Sequence, residues 1–158
     1  MDRQVYLEAV DRNSRRVFLL ALSFTRQRQD AEDVMQNVFL KLWKHPAAFR
    51  DAVHIDKWLT KVTVNESRSL LRSRARGPVS LEDPEALAAA AQPEDRELVS
   101  AVMRLPEALR TVIHMHYYED LSIKEIASLL HVSQAAVKMR LFRGRNQLKS
   151  ELTEETKS

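Results

Sequence analysis

Glycine is almost absent from this chain: only two of the 158 residues are glycine, and five are proline. A β-sandwich or barrel needs frequent turns that draw on both residue types, so the chain is predicted to be all-α. Apolar residues make up 44% and charged residues 30%, the balance of a globular protein rather than a disordered one. At this length we expect one domain or two small ones.

Several classes of protein are excluded by what the sequence lacks. It has no cysteine, which excludes a disulfide scaffold, a Cys-ligated zinc site and a thiol nucleophile, and suits a reducing cytosol. No apolar run approaches the ~20 residues that a membrane span requires. The first residues lead into no signal-peptide stretch. We therefore expect a cytoplasmic protein with no membrane span.

No catalytic or cofactor-binding motif is found. The sequence has no G-x-S-x-G, P-loop or H-E-x-x-H pattern. His114 and His116 are two residues apart, so a helix would point them in different directions. The remaining histidines, His45, His54 and His131, are scattered along the chain. We expect no metal site, no cofactor and no enzymatic activity.

Charge is distributed in blocks. Residues 57–76 carry six basic residues against one acid, 77–99 carry six acids against one base, and 133–149 carry five basic residues and no acid. Basic clusters on separate elements are typical of a protein that binds a polyanion such as nucleic acid. Solvated helix faces explain either basic block alone equally well.

Three helices are predicted in the first half, over 4–26, from Asp30 to His45, and over 55–75. Asp30 suits the N-cap position of the second helix, because its carboxylate can accept a backbone N–H there. Asp33 follows three residues later, as in a capping box.

The segment 77–95 differs in composition from its neighbours. It holds three of the five prolines, an alanine run and mostly acidic charges. We interpret it as a flexible linker with one short helical turn over 85–91. The alternative is a structured loop within one larger domain.

In the second half of the chain, helices are predicted over 96–104 and 106–118. Two short-range signals follow them. Ser122 and Glu125 form a capping box that starts a short helix. After a three-residue turn, another helix is predicted from Gln134, with Ser133 as its cap. Two capped helices joined by such a turn form a helix-turn-helix.

The second helix of this motif exposes polar and basic residues that suit a DNA major groove. They are Gln134, Lys138, Arg140, Arg143 and Arg145. The alternative is an ordinary helical hairpin within a bundle, which the absence of acids on this helix disfavours.

The helix that begins near Trp58 is a second candidate. Lys61, Asn65, Arg68 and Arg72 are spaced to share one face. The asparagine could hydrogen-bond an unstacked base while the cations hold the backbone. Considered alone, a core Trp58 with a solvated basic face explains the segment better.

Three segments together resemble bacterial sigma factors of the extracytoplasmic-function (ECF) group in the sigma-70 family. Residues 30–43 resemble the core-polymerase-binding helix, 58–72 the promoter-melting helix, and 105–143 the fourth conserved region. The resemblance implies a region 2-like domain over 1–76, a linker over 77–95 and a region 4-like domain over 96–158.

The resemblance also implies site residues. The docking positions for the clamp helices of the polymerase β′ subunit are Asp33, Gln36, Phe39 and Leu40. The positions facing the −10 element and its melted strand are Lys61, Asn65, Arg68 and Arg72. The positions on the helix that reads the −35 element are Gln134, Lys138, Arg140, Arg143 and Arg145. The implied partners are core RNA polymerase, including its β flap, promoter DNA and an anti-sigma factor.

Five positions depart from the family pattern. Asn37 replaces a glutamate, which is expected to alter the polymerase contact, and Ser69 replaces an aspartate in the melting helix. His131 stands where the turn usually has glycine, so a positive φ is expected there at a cost of about 1 kcal/mol. Ala136 and Met139 replace a threonine and a serine, so those hydroxyl contacts are not carried over and the −35 sequence is expected to differ.

Two other functions compete with a sigma factor. A free-standing helix-turn-helix regulator would bind duplex DNA without polymerase, as a dimer on symmetric half-sites. It would leave the basic segment 58–76 without a role. An interaction protein that merely mimics a sigma factor would not need two basic blocks.

Overall fold

The computed structural model describes residues 1–45, 48–74 and 81–157, with side chains through Thr153. The chain divides into two compact units, Met1–Leu81 and Glu82–Ser158. All regular structure within the described ranges is helical, which confirms the predicted fold class. No helix in those ranges is both long enough and apolar enough to cross a membrane.

Unit 1 is a bundle of three long helices that all pack against one another. They are α1 (Arg3–Thr25), α2 (Arg28–Trp43) and α3 (Ala52–Ser73). Their core consists of aliphatic side chains such as Leu20, Leu42 and Leu59, which are fully buried. Each such side chain contributes about 1.5–3 kcal/mol through burial.

A polar network also joins α1 to α3. The Asp56 carboxylate accepts hydrogen bonds from Arg12 Nη2 at 2.8 Å and Asn13 Nδ2 at 2.9 Å. Arg16 donates to the Thr60 hydroxyl at 2.6 Å and to the Asp56 carbonyl at 2.9 Å. Burial raises the pKa of Asp56, but the hydrogen bonds from Arg12 and Asn13 outweigh it, so the pKa is lowered overall.

The predicted start of α2 is wrong. The helix begins at Arg28, and its N-cap residue Gln27 makes no side-chain cap. Asp30 is 1% exposed and accepts a hydrogen bond from Arg74 Nη1 at 2.6 Å. A charge at the C-cap of α3, 44 residues away, therefore determines the role of this carboxylate. α3 begins at Ala52 rather than near residue 55, because Asp51 accepts from the His54 amide at 2.8 Å and caps it.

The described part of unit 2 consists of four short α-helices followed by one long α-helix. They are α4 (Pro84–Ala88), α5 (Arg96–Met103), α6 (Glu107–Ile113), α7 (Ile123–Leu130) and α8 (Gln134–Lys157). A 3-10 turn over Pro93–Asp95 precedes α5, and a single π turn over His114–Tyr118 follows α6.

A flexible linker through residue 95 is also wrong for the part that the structure describes. Leu87, Ala88 and Ala91 are buried, and α4 packs against α5. Arg96 donates to the carbonyls of Ala89 and Ala91, both at 3.3 Å, which joins the turn after α4 to the start of α5. Within the alanine run, Ala88 ends α4 and Ala91 lies in the turn that follows it, and both are buried. The remainder of the proposed linker, residues 75–80, lies outside the described residues.

Helices α6 and α8 approach closely at Gly144. A Cβ atom added there would lie 2.7 Å from Ile113 Cγ1, which is closer than packed carbon atoms allow. Val137 and Leu141 continue the same buried face of α8. The glycine thus sets the distance at which α8 packs.

Candidate nucleic-acid interface

The helix-turn-helix is held by local hydrogen bonds. Ser122 Oγ accepts from the Glu125 amide at 3.0 Å, and Glu125 Oε1 accepts from the Ser122 amide at 3.1 Å, which confirms the predicted capping box. His131 ends α7 with φ 56° and ψ 43°, the left-handed conformation expected there. Ser133 Oγ accepts from the Ala136 amide at 3.0 Å and caps α8. Residues next to each boundary therefore determine where α7 begins and ends and where α8 begins.

α8 has a buried face and a basic outward face. Val137, Leu141 and Gly144 point into unit 2. The predicted residues Gln134, Lys138 and Arg143 are exposed, and Arg140 is half-buried. Because the segment 133–149 contains no acid, this face presents uncompensated positive charge along the helix.

Arg145 differs from the other predicted residues of α8. Its Nη1 donates to the Tyr117 hydroxyl at 2.7 Å, so the side chain is held against the π turn. Sequence spacing gave no sign of this, because the partner lies 28 residues away.

The predicted stripe on α3 is present. Lys61, Asn65 and Arg72 are exposed and Arg68 is half-buried, at spacings that keep them on one face. Sequence reasoning missed Lys57, which is exposed four residues before Lys61 and extends the stripe. The acid of this segment, Glu66, lies off the stripe and pairs with Lys41 of α2.

An aromatic cluster adjoins the start of this stripe. Trp58 is half-buried and packs edge-on against His45 and Phe49, with ring centroids 5.1 and 5.6 Å apart. Packing within unit 1 therefore accounts for only the buried part of the Trp58 side chain.

The candidate docking face on α2 is partly as predicted. Gln36 is exposed, Leu40 is 49% exposed and Asp33 is half-buried, in a stripe along the helix. Phe39 is only 7% exposed, so its side chain belongs to the core rather than to this face. Trp43, 44% exposed and three residues after Leu40, was missed although the helical period reveals it.

Unit 2 contains a separate apolar groove of about 670 Å³ between α5, the π turn and α8. Leu98 and Tyr117 are half exposed along it. His114 lies in its wall, stacked on Tyr118 with ring centroids 4.8 Å apart. Burial lowers the pKa of His114 to about 3, and within the described part of the chain its Nε2 has no hydrogen-bond partner.

Metal-ligating side chains do not converge in the described ranges. No group of three or more His, Asp or Glu residues there is arranged to hold an ion. The charge concentrated on α3 and α8 is instead the dominant feature of the two units.

Comparison with known families matches both units. The sigma-70 region 2 model matches residues 9–77, and the sigma-70 region 4 model matches residues 95–148. A sigma factor RpoE from Bartonella quintana, solved with the anti-sigma factor NepR, has the same fold, with a TM-score of 0.67 and 21% identity over 96% of each chain.

Sequence relatives agree. The ECF RNA polymerase sigma factor SigM of Mycobacterium tuberculosis is 31% identical over 93% of this chain and 76% of that protein. The RNA polymerase sigma-H factor of Pseudomonas aeruginosa is 28% identical over 91% of this chain and 84% of that protein. The "Probable RNA polymerase sigma factor RfaY" of Xanthomonas campestris is 32% identical, and the chain spans 41% of its length. The chain therefore belongs to the sigma-70 family, within its ECF group.

Proposed function

We propose that this protein is an alternative sigma factor that binds core RNA polymerase and directs promoter-specific initiation of transcription. The observation that carries the proposal is the presence, in one chain, of two separate basic helix faces, on α3 and α8, together with an exposed stripe on α2. A sigma factor requires all three surfaces, whereas a free-standing regulator requires only α8. The role is non-catalytic and is exercised in the cytoplasm, where polymerase works.

The outward face of α8 reads the −35 element in the major groove. Its exposed N-terminal residues Gln134 and Lys138 lie nearest the base edges, as in other helix-turn-helix proteins. Arg140 and Arg143 neutralise phosphates on the flanks of the groove. Arg145 is exposed and donates to Tyr117 through Nη1, so its other N–H groups can still reach a phosphate.

The stripe on α3 opens the −10 element by capturing its unpaired strand. Lys61 and Arg72 hold the phosphate backbone of the single strand, and Arg68 lies between them. Asn65 hydrogen-bonds the edge of an unpaired base, which an amide can do through both its donor and its acceptor.

Two surfaces serve protein partners. The α2 stripe of Asp33, Gln36, Leu40 and Trp43 docks on the β′ clamp helices. The groove of unit 2 accepts an amphipathic helix such as the β flap presents, because its walls are apolar and Leu98 and Tyr117 remain exposed. We also infer regulation by an anti-sigma factor, by analogy with the complex solved for the Bartonella protein.

The two domains that carry these surfaces are joined near residues 75–81. The division of the chain after Leu81, and the end of the region 2 match at residue 77, support this boundary. Limited proteolysis should cut there first and leave two stable fragments. Early cleavage within 84–103 would contradict it.

The direct test is reconstitution with core RNA polymerase. The purified chain should form a stoichiometric complex with core enzyme and support run-off transcription from a cognate promoter. Binding to duplex DNA as a dimer, with no affinity for core enzyme, would favour the free-standing regulator instead. A variant with Leu40→Asp should lose the core complex while keeping its fold, because Leu40 is exposed.

A further inference from the structure

The middle of the outward face of α8 is apolar. Ala135, Met139 and Phe142 follow one another at four and three residues, so they form one stripe on the helix surface. Met139 is 50% exposed and Phe142 is 57% exposed. The buried residues Val137 and Leu141 lie on the other side of the helix, so packing within unit 2 does not account for this stripe.

Positive charge flanks the stripe. Lys138 adjoins Met139 on one side, and Arg143, four residues after Met139, lies on the other. No acidic residue occurs between 133 and 149. An apolar strip bordered by cations complements a groove with an apolar feature in its floor and phosphates along its edges, which describes the DNA major groove.

The floor of the major groove offers one apolar feature, the C5-methyl group of thymine, and this group separates thymine from the other three bases. A methionine thioether has no hydrogen to donate and accepts only weakly, so it cannot read base edges by hydrogen bonding. Its unbranched, polarisable side chain adapts well to a methyl group.

We propose that Met139 is a specificity-determining residue that reads a thymine methyl group in the −35 element. The proposal rests on the assignment of α8 as the −35-reading helix. Met139 therefore contacts the methyl group on the major-groove edge of thymine and makes no hydrogen bond to the base. Ala135, one turn earlier, leaves room for the base beside Met139.

Replacing thymine by uracil tests this contact, because it removes the methyl group and keeps every hydrogen-bonding group of the base pair. Holoenzyme assembled with core polymerase first selects its −35 sequences from a randomised duplex library. Each thymine of the selected element is then replaced singly by deoxyuridine, and holoenzyme affinity is measured. One replacement should weaken binding about fourfold, the factor expected for one buried methyl group.

Variants of α8 assign the effect to Met139. M139S should bind the thymine and uracil duplexes equally. M139L, which keeps an apolar side chain of similar size, should retain the preference for thymine. Q147A is the matched control, since Gln147 is exposed two turns further along the same helix, and it should behave as the wild type.

The outcomes separate this proposal from the function on which it rests. Failure of the holoenzyme to select or bind any sequence would contradict the sigma-factor function. Specific binding with no loss at any uracil would overturn the methyl contact, as would an unchanged thymine preference in M139S. A loss of core-polymerase binding in M139S, without a change in base preference, would assign the stripe to a protein partner and also overturn the proposal.

Discussion

The two basic helices, α3 and α8, present similar charge but are held in place by different means. α3 is fixed by residues distant in sequence: Arg16 bonds Thr60, Arg12 bonds Asp56, and Arg74 bonds Asp30 of α2. α8 is fixed at its start by short-range contacts, through the Ser133 cap and the preceding capped helix α7, and further along by two tertiary contacts, of Gly144 with Ile113 and of Arg145 with Tyr117.

This difference determines which substitutions displace each surface. In unit 1 the α3 stripe depends on long side chains that reach across the bundle, so a change on α1 alters the position of the DNA-facing residues. In unit 2 the stripe on α8 depends on short-range caps and on the absence of a side chain at Gly144. Amide hydrogen exchange, which reports each unit separately, can distinguish the two cases.

The largest expected effect concerns the core of unit 1. Phe39→Ala removes a buried ring and should cost about 3–5 kcal/mol of unfolding free energy, because a cavity remains. Hydrogen exchange should accelerate throughout α1–α3 and remain unchanged in α5–α8. Leu40→Ala is the matched control, since its exposed side chain should leave exchange unaltered. If hydrogen exchange in α1–α3 were unchanged in Phe39→Ala, the ring of Phe39 would belong to the docking face instead of the core.

The next effect tests the packing of α8. Gly144→Ala would usually stabilise a helix, but the added Cβ meets Ile113 at 2.7 Å. Overpacking of this kind costs about 1–3 kcal/mol, so unit 2 should lose stability. Thermal unfolding measures the loss of stability, and amide hydrogen exchange in α6 and α8 locates it. A gain in stability would show that α6 and α8 are further apart than described.

A smaller effect is expected from the polar network of unit 1. Asp56→Ala leaves Arg12 and Asn13 without their acceptor. Since Asp56 is about one-third exposed, we expect the lower end of the range for charged hydrogen bonds, about 1.5 kcal/mol. Asp11→Ala, an exposed aspartate beside Arg12, provides the control. Equal effects of both variants would mean that the network does not hold α3.

The smallest effect, for a change of one pH unit, is a pH dependence of the stability of unit 2. His114 has a pKa of about 3 in the folded protein against 6.5 for an unperturbed histidine, so the unfolded state binds more protons between these limits. Stability contributed by the neutral imidazole is therefore present above pH 6.5 and lost as the pH falls towards 3. Between pH 6.5 and 5.5 the loss should be about 1 kcal/mol.

His114→Phe removes the titrating group and keeps a ring to stack on Tyr118. The difference in unfolding free energy between the wild type and this variant should change with pH across the stated window. If the unfolding free energies of the two proteins changed in parallel with pH, His114 would not be the titrating group.

Features set by adjacent residues could be predicted from sequence. The Ser122–Glu125 capping box, the positive φ of His131 and the Ser133 cap each depend on residues within four positions, and all three were anticipated. The α3 stripe was also predictable, because helical spacing alone places its members together.

Features set by tertiary contacts were not predictable in the same way. Asp30 looked like an N-cap because local chemistry allows it, and the competing partner Arg74 is 44 residues away. The hydrogen bond from Arg145 to Tyr117 likewise joins residues 28 positions apart, so sequence spacing does not predict it. The packing of α4 was a missed local signal, since Leu87, Ala88 and Ala91 already follow helical spacing.

Permanganate reactivity of thymines around the start site reports whether the α3 stripe opens the promoter. Asn65 is exposed, so Asn65→Ala should leave folding, core-polymerase binding and closed-complex formation intact. The variant holoenzyme should show fewer reactive thymines on a duplex promoter and recover much of its activity on a pre-melted one. Equal impairment on duplex and pre-melted templates would contradict a role for the α3 stripe in opening.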